Sequence, residues 1–145
     1  MAESKGTQRV DNMVKLLKKW QNIERQAISD TAEIMEKTDN ALVRQIMEII
    51  RNDSVQHHRV QQFLIDSLTT SPVKLTPEEL GEVWDAIEAH DEHEKEVIEI
   101  AKQLKEECRF FVQRSLLDYL LVDEQKHDTI LEQLNEFKKN LYPYG

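Results

Sequence analysis

Glu124 and His127 stand a helical turn apart in the segment Val122-Asp123-Glu124-Gln125-Lys126-His127. With that spacing on a helix, a carboxylate and an imidazole leave the same face and can reach a single ion. Carboxylate and imidazole together suit iron, manganese or zinc. Sliding the chain along itself lays Asn52-Asp53-Ser54-Val55-Gln56-His57 over that segment. Asp53 then falls on Asp123 and His57 on His127, but Ser54 stands where the later copy has Glu124. The same offset lays Glu24 over Glu94 and Arg44 over Arg114.

The elements that must hold these groups follow from the same arithmetic. Glu24 to Ser54 and Glu94 to Glu124 are equal intervals, with midpoints at positions 39 and 109. If each midpoint is the turn of an antiparallel hairpin, Glu24 lies level with Ser54 and Glu94 with Glu124. Apolar residues recur at three- and four-residue spacing through 8–38, 40–68, 76–107 and 110–140, the pattern of amphipathic helices. Thr38-Asp39-Asn40 is a turn signal, and Thr76-Pro77-Glu78-Glu79 reads as a capping box with proline in the first helical position. Three Gly and three Pro in 145 residues leave few places to turn, and 39% apolar residues suffice for one core. The expectation is an all-α chain, a single domain over 1–145 with a flexible start at 1–7 and repeats at about 8–68 and 76–140. The connection 69–75 reaches at most about 25 Å. A 28-residue helix is about 42 Å long. Helix two therefore ends before Leu68, helix three breaks near Gly81, or the four helices simply run up and down.

On these helices the inner faces are interrupted at one level. The fourth reads Leu117, Leu120, Glu124, His127, Leu131, Leu134, and the third Ile87, His90, Glu94, Val97 or Ile98, Ala101, Leu104. The first reads Leu17, Trp20, Glu24, Ala27 or Ile28, Thr31, Ile34, and the second Ile46, Ile50, Ser54, His57, Gln61, Leu64. Ionised carboxylates on buried faces need cations or a tight hydrogen-bond network. His58 and His93 fall outside the stripes as surface residues, and Trp20 and Trp84 read as core or interface fillers.

A Glu from each of two helices and a Glu-x-x-His from each of the others is the ligand set of ferritin-like carboxylate bundles. From about Glu24 to Leu134 the chain resembles that superfamily, in particular rubrerythrin-like proteins without a rubredoxin domain, and Asp123-Glu124-Gln125-Lys126-His127 is similar to its DExxH element. The resemblance implies a ferritin-like four-helix bundle of two repeated hairpins. It also implies metal ligands at Glu24, His57, Glu94, Glu124 and His127, with Asp53 and Asp123 supporting the histidines. The departure is Ser54, which leaves three carboxylates where two divalent ions would be balanced by four. Asp53, His90 or a water held by Ser54 could make up the set, and the cofactor is two iron ions, or one, with manganese or zinc as alternatives. His90 and Glu94 also form an HxxxE pair of the hemerythrin kind, but that family needs five spaced histidines, and His57 and His58 cannot both face inward.

The net charge of −9 disfavours nucleic acid and anionic membranes as partners. Cys108 is the only cysteine, which excludes an internal disulfide or a cysteine-rich metal site. No apolar run approaches the roughly 18 residues of a spanning helix. A cytoplasmic homodimer is expected. The function implied by the resemblance is iron-dependent redox chemistry, reaction with oxygen or peroxide or oxidation of ferrous ion, with an unidentified electron donor. The alternative is a non-catalytic helical bundle, its metal site degraded at Ser54, that binds a partner.

Overall fold

The computed structural model describes residues 4–141. Four helices, α1 (Lys5–Glu36), α2 (Ala41–Thr69), α3 (Pro77–Glu107) and α4 (Phe111–Leu141), account for almost all of them, and no strand occurs among the described residues. None of the helices is long and apolar enough to cross a membrane. α1 begins at Lys5, capped by the Ser4 hydroxyl on the Thr7 amide, within the 1–7 start for which flexibility was expected. Residues 1–3 of that expectation lie outside the described residues.

The contacts gather into two compact units, residues 1–73 and 74–145, which coincide with the two repeats. Each is an antiparallel helical hairpin and is described by itself. In the first, Asn40 caps α2 by accepting from the Leu42 and Val43 amides at 3.1 Å. In the second, Thr76 and Glu79 close a reciprocal capping box at the start of α3. α2 runs through Leu68 to Thr69, and α3 passes Gly81 unbroken. Neither an early end of α2 nor a break at Gly81 therefore accommodates the short connection. The capping box lies only a turn before Gly81, and Leu80 beside it is buried, so the roughly 1 kcal/mol helix penalty of glycine is readily outweighed.

The identity of Arg44 and Arg114 in the repeat has a structural cause. From the first turn of α2, Arg44 donates back to the carbonyls of Met35 and Thr38. From the first turn of α4, Arg114 donates to those of Lys105 and Cys108, at 2.7 and 3.4 Å. The repeat offset carries Met35 onto Lys105 and Thr38 onto Cys108, so the same guanidinium latch closes both hairpins. It satisfies carbonyls that a helix C-terminus leaves without an intrahelical partner.

The seam of each hairpin is narrow. Among the described residues the buried apolar side chains are Ile65, Leu80, Ile98 and Ala101. The stripe residues Ile46, Ile50, Leu64, Leu104 and Leu120 remain exposed, because two helices cover only part of an apolar stripe more than about 100° wide. Replacing Arg44 or Arg114 with Ala is expected to lower stability by about 1–2 kcal/mol. Arg→Lys at either position should recover less than half of that, since an ammonium cannot span two carbonyls with a planar fork. Urea unfolding of the four variants, followed by circular dichroism, checks this.

Candidate metal centre

Glu94 sits in the middle of α3 facing α4 and is only 7% exposed, although nothing about a glutamate favours such a place. Its surroundings explain how it is held. His90, one turn earlier on α3, has Nε2 2.9 Å from Glu94 Oε1. His127 on α4 brings Nδ1 to 3.5 Å from Glu94 Oε1 and 3.4 Å from Glu124 Oε2. The Glu94 and Glu124 carboxyl groups also face each other, closely enough for a hydrogen bond between them to govern how both ionise. That bond is the main reason Glu94 is held below the usual glutamate range, with the His127 and His90 charges adding to it against the effect of burial. The same bond, with burial and the Glu94 charge, pushes Glu124 up. The two shifts run in opposite directions, the pattern of two acids forced to share a site.

One donor atom each from Glu94, Glu124 and His127 lies within 4.8 Å of the other two. Glu94 Oε2 is buried and has no hydrogen-bond partner. A carboxylate oxygen in that position loses its hydration and gains nothing. On the other side of the imidazole, His127 Nε2 is 3.6 Å from Asp123 Oδ2, so the two ring nitrogens face different carboxylates. That is the disposition by which an outer carboxylate orients a ligating histidine.

The first hairpin repeats the frame and changes the chemistry. Glu24 is buried to the same 7% exposure, and His57 Nδ1 lies 3.2 Å from its Oε1, as His127 lies beside Glu94. Trp20 Nε1 donates to the same oxygen at 3.0 Å, and the Ser54 hydroxyl also bonds the carboxylate. Burial raises the Glu24 pKa, but the bonds from Ser54, His57 and Trp20 outweigh it and hold the group below the usual range. Where the second hairpin presents an acid to an acid, the first presents a carboxylate to donors. No hydrogen bond or ion pair joins Asp53 to His57 among the described residues, so Asp53 does not support its histidine as Asp123 does.

The structure therefore brings together Glu94, Glu124, His127, His90 and Asp123 on one hairpin, and Glu24, His57 and Ser54 on the other. His58 is half-buried rather than a surface residue, with an unpartnered Nε2 and its carbonyl taken by Gln21 at 3.4 Å. Trp20 is 52% exposed and serves as a donor to Glu24 rather than as a core filler. Sequence reasoning also missed a second acid pair. Asp128 is pushed up, first by its hydrogen bond to Asp91, then by burial and the Asp91 charge. Residues 91 and 128 lie almost equidistant from the turn at 109, so the spacing that paired Glu94 with Glu124 was available for them too. Acid is concentrated on this half of the chain: residues 74–145 hold nine Lys and Arg against eighteen Asp and Glu, whereas residues 1–73 hold ten of each. The field of the second hairpin attracts cations; that of the first does not.

Glu124 with a raised pKa contributes stability that is fully present below the ordinary glutamate range and is lost as pH rises through its folded value. Glu124→Gln keeps the donor to Glu94 at every pH. In the metal-free protein it is expected to add about 1 kcal/mol of stability at neutral pH. The gain should disappear on acidification, when wild-type Glu124 is protonated as well. Thermal melts of both proteins in chelator across this pH range check it, and a gain that persists in acid would contradict the bond between the two carboxyl groups.

No family model, curated protein or solved structure matches this chain, and the reading of the site rests on its geometry and donor chemistry.

Proposed function

We propose that this is a metal-binding protein of the ferritin-like kind, in which Glu94, Glu124 and His127 hold a divalent cation. The observation that carries the reading is the buried, unpartnered Glu94 Oε2 beside a second carboxyl and an imidazole. A cation between Glu94 and Glu124 would favour the ionised form of both and give the orphaned oxygen a partner. Two carboxylates and one imidazole fit iron, manganese or zinc. His90 and Asp123 orient Glu94 and His127 from behind. Iron at this site would supply one-electron chemistry toward oxygen, peroxide or ferrous substrate, the activity implied by the ferritin-like resemblance. Almost half of the His127 side chain and a quarter of that of Glu124 remain accessible, which leaves room for a small exogenous molecule.

The apolar rows left exposed on each hairpin support a bundle as the working form, since such rows stay wet unless further helices cover them. A homodimer is one way of covering them. The same rows also favour the second reading, a non-catalytic module that binds a helical partner. The two readings differ in metal content. Untagged protein purified without chelator and assayed by elemental analysis is expected to carry iron or manganese, and Glu94→Gln and Glu124→Ala to lose most of it. Asp53→Ala should retain it, because no bond ties Asp53 to a ligand among the described residues. Wild-type protein that takes up no transition metal even on reconstitution leaves the partner-binding reading in possession.

A further inference from the structure

Arg25 of α1 and Arg59 of α2 line one cavity of about 260 Å³ on the first hairpin, together with His58, Ile28 and Val55. Among the described residues no carboxylate pairs with either arginine, although the chain carries 28 Asp and Glu against 19 Lys and Arg. Arg25 commits Nη1 to Asn22 Oδ1 at 2.6 Å, which leaves most of the N–H donors of its guanidinium free for another acceptor. His58 Nε2 is buried and has no hydrogen-bond partner. The repeat shows how this differs from the second hairpin. Its offset carries Arg25 onto Lys95, His58 onto Asp128, and Gln21 and Asn22 onto Asp91 and Glu92. Lys95 is met from its own helix by Asp91 at 3.3 Å and Glu92 at 3.7 Å. In the first hairpin both acids are replaced by amides, and that of Gln21 is turned to the His58 carbonyl and to Gln62. One hairpin thus answers its cation with carboxylates. The other gathers three nitrogen-bearing side chains around a cavity whose lining includes no acid.

We infer that this cavity binds a phosphate group, as inorganic phosphate or as the end of a small phosphomonoester. Two guanidinium groups, one from each helix, present forked N–H donors to a tetrahedral oxyanion, and His58 Nε2 supplies a further donor when it carries the ring proton. A phosphate group offers three strongly accepting terminal oxygens to these three side chains. A carboxylate offers two in one plane and leaves one of the three unmet. The share of liquid volume taken by a water is about 30 Å³, so the cavity has room for a phosphate and for a short organic tail against Ile28 and Val55. Residues 1–73 hold as many basic as acidic residues, so an anion there does not face the local excess of acid found on residues 74–145. The site uses none of the residues assigned to the metal, and it stands or falls independently of the metal-binding function.

Isothermal titration calorimetry of the full-length chain with inorganic phosphate tests it. The protein is first stripped of metal by chelator and dialysed, so that an ion at Glu94 cannot hold the phosphate. Wild type is expected to bind one phosphate per chain. Arg25→Gln and Arg59→Gln should each weaken binding at least ten-fold, and because both residues are exposed, that loss is not a loss of packing. Asn22→Glu gives Arg25 a carboxylate of the kind Lys95 has, and should weaken binding at least ten-fold with both arginines and His58 still in place. Lys18→Gln removes an exposed cation elsewhere on α1 and should leave the affinity within two-fold of wild type. Tighter binding of phenyl phosphate than of inorganic phosphate assigns the site to a monoester, and the opposite order assigns it to the free ion. No uptake by wild type overturns the inference, as does acetate bound as tightly as phosphate. Either arginine variant binding like wild type overturns it too. A loss in Lys18→Gln equal to that in the arginine variants would reduce the effect to general surface charge and end the assignment.

Discussion

Each hairpin is organised around a glutamate buried at mid-length between two helices. A carboxylate so placed gives up strong hydration, and the surrounding residues must return the interaction or the helices separate. Glu24 is answered by donors, with an indole, an imidazole and a hydroxyl converging on it. Glu94 is answered by an acid and two imidazoles, and one of its oxygens is left with nothing. The seams differ where Ser54 stands against Glu124 and Trp20 against His90, so that Glu24 meets donors and Glu94 meets an acid. A serine hydroxyl donates to a carboxylate at any pH, whereas a glutamate does so only while protonated.

Much of this is legible in the sequence. The repeat offset locates both turns, sets Glu24 level with Ser54 and Glu94 with Glu124, and singles out Ser54 as the break in symmetry. These features depend on helical geometry alone, in which residues equidistant from a turn share a level. Arg44 and Arg114 are visible as an identity but not as a device, because a guanidinium reaching back across a turn leaves no mark on hydrophobic periodicity. Gln61 lies on the inner stripe of the second segment, yet only burial of both its amide atoms shows that it lacks a partner. The acid pair Asp91 and Asp128 is hidden in a stretch where nearly every second residue is charged.

The expectation of fully buried stripes met a geometric limit. Two helices in contact shield a seam one side chain wide, and in both hairpins polar residues occupy much of that seam: Gln21, Glu24, Thr31, Ser54 and Gln61 in the first, Glu94 in the second. Apolar burial within a hairpin is consequently slight, with four apolar side chains buried among the described residues. Latches, caps and polar pairing carry a larger share of the local specificity than in a bundle with a hydrocarbon core. This is why a change of one donor at residue 54 alters what the seam can bind rather than merely how well it packs.

Electrostatics separates the two halves further. All of the net charge of −9 resides on residues 74–145, where Glu124 is pushed up by Glu94 and Asp128 by Asp91. A divalent cation placed among such pairs would compete with protons for them, so its affinity would rise with pH. Charge balance in the first hairpin works the other way. Residues 1–73 are neutral overall, and Glu24 in their seam is held below the usual range, against the effect of burial, by the bonds from Ser54, His57 and Trp20. A repeated frame thereby surrounds its two buried glutamates in opposite ways, Glu24 with donors in a neutral half and Glu94 with a second acid in an acidic one, which an unaltered repeat would not.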